Sequence, residues 1–367
     1  MKILHVLNDV REIGNGIVNV AVDIACLQAK NGHDVAVASD GGEYSILLSK
    51  YGVKHYHLNQ RRTPLNILKA GMIYRRIITD FQPDIVHAHM MTGIVLASLL
   101  KVINNYGLVS TVHNEFKRES ILMGLADRVI AVSQAVAQSM ANKGVASQKL
   151  RVICNGTLGS PRKPEEEQGQ YLQLPHPAIV TVAGMYQRKG IADLIDAFDR
   201  IADLFPQYHL YIVGNGPDKE VFEAQAKKLN TANRIHFEGY QPQPQRYLNS
   251  CDVFILASLR DPCPLVISEA RQAGCAIIAT NVDGIPEALD YGKAGLLVPV
   301  NDSQALADTL AKLLNDSTTL KDWKNRASQN IERLHVNRVH QETLAVYQEL
   351  AQVQIKNPQI SLGIGNR

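Results

Sequence analysis

DPCPLVISEA, residues 261–270, is the stretch on which the reading of the fold turns. Two carboxylates, Asp261 and Glu269, stand eight positions apart, with two prolines, a cysteine and an apolar run between them. An apolar segment at 252–256 (DVFIL) precedes it, and another at 275–280 (CAIIAT) follows. Strand, loop, helix N-terminus and strand again is how α/β proteins present an anion site. Pro264 fits the first helical turn, where its missing donor is no loss. The backbone N–H groups of Leu265 and Val266 are then expected to point at a phosphate. Glu269, about one turn further in, is expected to reach a sugar or ribose hydroxyl. A capped helix with an incidental carboxylate is the plainer alternative.

Working outward, the same alternation fills the chain. Strand patterns fall at 2–7, 34–38, 53–57, 84–87, 108–112, 128–132 and 150–154, with helical patterns such as 17–30, 65–81 and 134–143 between them. Residues 156–177 break the rhythm with four prolines, three glycines and the acidic triplet Glu165–Glu167, the composition of a linker. Strands resume at 178–183, 208–213, 234–237, 252–256 and 275–280, with helices at 191–205, 219–229 and 303–314 and further helical patterns from 320 to 350. Apolar strands alternating with amphipathic helices imply βαβ units and parallel sheets. The expected organisation is a first Rossmann-like domain at 1–160, a linker at 161–177, a second at 178–335, and a C-terminal helix and tail at 336–367 that packs back on the first domain. The strand carboxyl ends are expected to face the cleft between the domains, where ligands bind in such folds.

Composition narrows the class. The chain has 367 residues, 46% apolar and 20% charged, as in globular proteins and unlike disordered ones. It has no apolar run of about 18 residues and no signal-peptide pattern at the start. Five cysteines without a CxxC pair argue for a reducing cytoplasm and against a disulfide or zinc framework. The net charge of +3 is uneven. Residues 1–160 carry 17 Lys+Arg against 11 Asp+Glu, and the remainder 21 against 24. The first half is the better candidate for anionic partners.

Several chemistries lack their motifs. There is no P-loop, no GxGxxG, no Asp-x-Asp, no HExxH and no GxSxG, so no dedicated metal, cofactor or nucleic-acid partner is expected. The positive signals lie at strand ends. Gly14-Asn15-Gly16 follows the first strand, and glycines let backbone approach an anion closely. His87 and His89 flank one strand end and His113 follows another; a lone histidine is more often structural than functional. Arg188-Lys189 is suited to neutralising a diphosphate. Gly214 and the run Asp283-Gly284-Ile285-Pro286-Glu287 follow further strands.

In order and spacing, IVGNGPDKEVFEAQA, FEGY, CDVFILAS, DPCPLVISEA, DGIPEAL and GKAGLLVPVNDSQALADTL resemble the nucleotide-binding half of retaining GT-B glycosyltransferases of family four. NGIVNVAVDIACLQAKNGHDV, DIVHAH, TVH, ADRVIAVSQAV and RVICNG are similar to that family's first half. The resemblance implies a nucleotide-diphosphate sugar as donor substrate, held mainly by the second domain. Asp261 would contact the donor sugar and Glu269 the ribose hydroxyls. Lys189 would meet the diphosphate, Gly16 would face the phosphate, and His113 would lie near the sugar. It also implies retention of anomeric configuration, with front-face attack assisted by the leaving phosphate and no metal.

Two departures stand out: Asp261 replaces the family's glutamate, and Met185 stands where an arginine is expected, with Arg188 a shifted substitute. A non-catalytic nucleotide-sugar-binding subunit and a GT-B epimerase or phosphorylase are the rival readings on the same fold. The acceptor is expected to be a glycan, a lipid-linked sugar or a small molecule. Residues 44–79 carry seven basic side chains and no acidic one. The helical part presents Leu65, Leu68, Met72, Ile73 and Ile77 as an apolar face. This pattern fits peripheral contact with an anionic membrane through residues 50–76, at the inner face of the membrane of a cytoplasmic enzyme. A core helix with a solvated basic side fits it equally.

Overall fold

The computed structural model describes residues 1–163, 172, 174 and 177–356, with side chains as far as 351. Most of the expected linker and the last eleven residues lie outside that set. Among the described residues the backbone forms two sheets, parallel throughout. The first contains β1 (Lys2–Val6), β2 (Asp34–Ser39), β3 (Lys54–His57), β4 (Ile85–Ala88), β5 (Gly107–Val112), β6 (Arg128–Ala131) and β7 (Leu150–Val152), in the order β3-β2-β1-β4-β5-β6-β7. Its helices are α1 (Gly16–Lys30), α2 (Tyr44–Lys50), α3 (Pro64–Phe81), α4 (Met91–Lys101) and α5 (Gln134–Asn142).

The second sheet holds β8 (Ala178–Val182), β9 (His209–Val213), β10 (Ile235–Gly239), β11 (Val253–Leu256), β12 (Ala276–Thr280) and β13 (Leu296–Val298), in the order β10-β9-β8-β11-β12-β13. Around it lie α6 (Ile191–Ala202), α7 (Lys219–Ala226), α8 (Gln245–Leu248), α9 (Leu265–Gln272), α10 (Ile285–Ala288), α11 (Ser303–Asn315) and α12 (Ser317–Ala327). In both sheets the order reverses beside the first strand. The crevices this opens, between β1 and β4 and between β8 and β11, are where doubly wound folds bind ligands.

Parallel strands covered on both faces read as continuous apolar runs. In β11, Val253 and Ile255 join one buried cluster, with Leu194, Phe198 and Leu310, while Phe254 and Leu256 join another on the opposite face, with Ile267 and Ala270. Helix ends are set locally. The Asn15 side chain accepts from the Ile17 amide at 3.1 Å, Ser133 from Val136 at 3.3 Å and Asp302 from Ala305 at 2.8 Å, each satisfying a first-turn donor.

Helix α13 (Val336–Lys356) returns to the first sheet. Val346, Tyr347 and Leu350 are buried among Ile3, Ile24, Ile85 and Val109, each contributing about 1.5–3 kcal/mol of burial. Glu349 bridges Arg128 at 2.9 Å and Arg151 at 2.7 Å, which holds its carboxyl below the usual range.

Helix α3 corrects one expectation. Its buried face is Ala70, Tyr74, Ile77, Ile78 and Phe81, so Ile77 belongs to the core. Leu65 is 78% exposed, Leu68 70% and Met72 68%. The core is served by one stripe, and a second apolar stripe faces solvent beside Lys69, Arg75 and Arg76. Among the described residues no helix is long and apolar enough to cross a membrane.

Candidate functional site

Gly16, Lys189 and Asp261 follow the carboxyl ends of β1, β8 and β11, strands that border the two crevices, while His113 follows β5, Gly214 follows β9 and Glu269 lies in α9. After β1 the chain runs to Asn15, which caps α1, and Gly16 opens the helix. A Cβ added to Gly16 would lie 3.6 Å from Leu265 Cδ1. The glycine loop of the first domain therefore faces the first residue of α9 in the second. Tyr240 reinforces this approach by donating its hydroxyl to the Glu12 carbonyl at 3.0 Å.

After β8 a single 3-10 turn, Gln187–Lys189, ends at Gly190 with φ 63°. A side chain there would run into the Ala257 carbonyl, so glycine is required at this close approach. The turn brings Lys189 Nζ to 2.5 Å from Asp261 Oδ2. Asp261 is buried, and Ser258 donates to the same oxygen at 3.3 Å. The Asp261 amide is held in turn by Asp283 Oδ2 at 2.9 Å. Asp283 takes φ 47° to do so, a conformation uncommon outside glycine.

Helix α9 starts at Leu265, so Pro264 is its N-cap, with ψ 117°, and not a residue of its first turn. Proline here still leaves the amides of Leu265 and Val266 without acceptors among the described residues, as expected of first-turn donors. Glu269, one turn inside, lies 2.8 Å from Lys163 Nζ. Both side chains are largely buried, at 12% and 17% exposure. Lys163 belongs to the segment between the domains and carries no motif of its own, so nothing in the sequence singled it out.

Arg188 and Lys189 part company. Arg188 lies over the Phe116 and Tyr186 rings, 5.6 Å from each centroid, so only Lys189 meets Asp261. Met185 is fully buried in the core of the second domain, where an arginine could not stay solvated. Gly214 shapes the floor of the loops. Its amide donates to the Gly239 carbonyl at 2.8 Å, and a Cβ would strike the Ala183 carbonyl.

His113 reaches the same region from the first domain. It lines a small cavity together with Ile17, His89, Thr111 and Lys117. Two residues on, Glu115 Oε1 is 3.3 Å from Arg260, the neighbour of Asp261. Arg260 also stacks on Phe116, 4.8 Å from the ring centroid. This pair ties the His113 loop to the Asp261 loop across the cleft. Burial pushes the Glu115 carboxyl up and the His113 imidazole down to about 3. Lys189, the free first-turn amides of α9 and the Gly16 backbone thus stand in one region with the carboxylates Asp261 and Glu269. That arrangement suits a ligand that is anionic in one part and rich in hydroxyls in another.

Comparison with known proteins gives a consistent picture. A family model for glycosyl transferases group 1 matches residues 163–330, and one for glycosyltransferase family 4 matches residues 14–157. An uncharacterised glycosyltransferase of Methanocaldococcus jannaschii is 24% identical over 328 residues, 74% of this chain and 80% of that protein. A phosphatidyl-myo-inositol mannosyltransferase of Mycolicibacterium smegmatis is 32% identical over 183 residues, 49% of this chain and 46% of that protein. The Anabaena protein HepE, solved in complex with UDP-glucose, superposes with a TM-score of 0.77 at 20% identity, over 96% of this chain and 100% of that one. At that identity the likeness speaks to the fold, two Rossmann-like domains in the GT-B arrangement.

Proposed function

The chain belongs to the group 1 glycosyltransferases of family four, and we propose that it is a retaining, metal-independent enzyme acting on a nucleoside-diphosphate sugar and an acceptor hydroxyl. The observation that carries this reading is the meeting of Lys189, Asp261 and the α9 N-terminus in the second domain with Gly16 of the first. In the proposed reaction the bond from the anomeric carbon to the diphosphate oxygen breaks as the acceptor oxygen bonds to the same face. The acceptor proton passes to the departing phosphate oxygen. Lys189, the Leu265 and Val266 amides and the Gly16 loop stabilise the charge that develops on the diphosphate. Asp261 and His113 accept hydroxyls of the transferred sugar, and Glu269 accepts those of the ribose. Arg188, on the rim over Phe116, adds positive charge where the donor enters.

The UDP-glucose held by HepE supports a nucleotide-sugar donor. The mycobacterial mannosyltransferase named for a phosphatidylinositol acceptor supports a lipid-linked one. Docking at an anionic membrane surface through residues 50–76, from the cytoplasmic side, fits the exposed Leu65, Leu68 and Met72 beside Lys69, Arg75 and Arg76. A thermal-shift screen of nucleoside-diphosphate sugars tests the donor site, because a ligand that binds only the folded state raises its stability. Transfer with the best donor, followed by NMR of the product's anomeric centre, tests retention. An inverted product overturns the mechanism, and the absence of any stabilising nucleotide sugar overturns the donor site.

A further inference from the structure

Strand β1 reads KILHV, and its histidine is an anomaly in a strand buried on both faces. His5 pairs in register with His87 of β4. Both are fully buried and His89 is nearly so. A buried polar ring needs a partner at each nitrogen, and each of the three has two. The Gln28 carbonyl oxygen lies 2.7 Å from His5 Nε2, and His5 Nδ1 lies 3.0 Å from His89 Nε2. His89 Nδ1 lies 3.1 Å from His113 Nε2. On a side branch, Tyr347 of α13 contacts His87 Nδ1 at 2.6 Å, and His87 Nε2 meets Thr111 Oγ1 at 2.7 Å. The Gln28 amide nitrogen donates to the Tyr347 hydroxyl at 3.4 Å.

These contacts leave little freedom in the protons. Gln28 offers its oxygen to His5, so His5 carries its proton on Nε2 and presents a bare Nδ1. His89 must then donate from Nε2 and accept at Nδ1, and His113 must donate from Nε2. Reversing one ring alone would set two hydrogens or two lone pairs face to face in the interior, which is costly. His113 Nδ1 has no partner among the described residues. This tautomer follows from the network.

We infer that Gln28, His5 and His89 are positioning residues, a buried relay anchored by Tyr347 that holds His113 neutral with its bare Nδ1 available to accept a hydroxyl of the transferred sugar. An imidazolium, or the other tautomer, would offer that hydroxyl a donor in place of an acceptor. Burial supports the neutral state, since it brings the His5 imidazole down to about 4 and those of His87 and His89 well below their usual value. His5, His87 and His89 are also close enough to hold a metal ion. The relay already uses both nitrogens of each ring, and an ion there would have to break it.

The inference rests on the proposed donor role of His113, and the test separates the two. Long-range ¹H–¹⁵N correlation spectra of the ¹⁵N-histidine-labelled wild-type protein at pH 7 should show His113 neutral and protonated on Nε2. A His113 signal that is charged, or protonated on Nδ1, overturns the relay whatever the activity. Gln28→Met should mix the His113 tautomers and lower kcat about tenfold, one hydrogen bond's worth, with donor KM within about twofold. An unmixed spectrum for a folded Gln28→Met protein also overturns the relay. Added Zn²⁺ should leave the His5, His87 and His89 signals in place, and stoichiometric shifts in all three would make the cluster a metal site instead. If the spectra are as expected but His113→Ala turns over normally, the donor role fails and the relay is structural alone.

Discussion

Lys163 Nζ lies 2.8 Å from Glu269 Oε1, so the segment joining the two domains is pinned to the carboxylate proposed for the donor ribose. Arg162, its neighbour, makes a two-point contact of 2.9 Å at each oxygen with the buried Asp23 of α1. Consecutive residues thus anchor the connection to both domains at once. A partly buried carboxylate stripped of its cation is poorly tolerated. Lys163→Met should therefore raise donor KM about tenfold, roughly 1.4 kcal/mol of lost binding, with a smaller effect on kcat. Steady-state kinetics against donor concentration measure this, and an unchanged KM would detach Lys163 from the ribose site.

The proposed roles of Lys189 and Glu269 lead to larger effects. Each group would contact the donor as charge builds on the leaving diphosphate, where one lost contact costs roughly 3–4 kcal/mol. Lys189→Ala and Glu269→Ala should each lose on the order of a hundredfold or more in kcat/KM. Near-normal turnover in both would sink the assignment.

Transfer without a metal is the next expectation. The charge at the proposed diphosphate position comes from Lys189 and from backbone amides, and the sequence has no Asp-x-Asp. Activity should persist in EDTA. Complete loss in chelator, restored by Mg²⁺ or Mn²⁺, would require a different account of leaving-group stabilisation.

Much of this was legible before any coordinates. Apolar strands such as AIVTV and VFIL, spaced by amphipathic helices, specify two parallel sheets because both faces must be covered. The placement of Asp261, Glu269 and Lys189 beside the second crevice is legible because each comes soon after β8 or β11, where a doubly wound fold binds ligands. The three-residue strand β13 escaped, too short for any period to show. Helix α4 (Met91–Lys101) escaped because MTGIVLASLLK is apolar nearly all round. Lys163 was invisible for another reason, since its role depends on how two domains meet. Met185 could be recognised as a departure, but only packing shows that its side chain belongs to the core. His5 carries a local signal, a polar ring among the buried apolar residues of β1.

The buried histidines also set how stability depends on pH. His5 titrates near 4 in the folded protein against 6.5 when unfolded. Between those values the unfolded chain holds the proton and the folded one does not, so stability is full above pH 6.5 and falls as the pH drops toward 4. His5 alone should remove on the order of 1 kcal/mol by pH 5.5, with His87, His89 and His113 adding in the same direction. Urea unfolding at pH 7.5 and pH 5.5 reads this directly, and equal stabilities would mean that the rings are not shielded as the structure has them.

The outward face of α3 carries the final expectation. The helix satisfies the core through Tyr74, Ile77, Ile78 and Phe81, so folding does not account for Leu65, Leu68 and Met72 on the other side. Exposed apolar residues interleaved with Lys69, Arg75 and Arg76 suit the boundary between headgroups and acyl chains. Each basic group near an anionic surface contributes roughly 1 kcal/mol before screening by salt. Flotation with vesicles of phosphatidylcholine, with and without phosphatidylglycerol, should show binding only to the anionic set and release as salt rises. Replacing Leu65, Leu68 and Met72 by serine should abolish binding without lowering Tm, because none of the three lies in the core. Negligible binding to both vesicle types at low salt would leave a water-soluble acceptor as the better reading of this face.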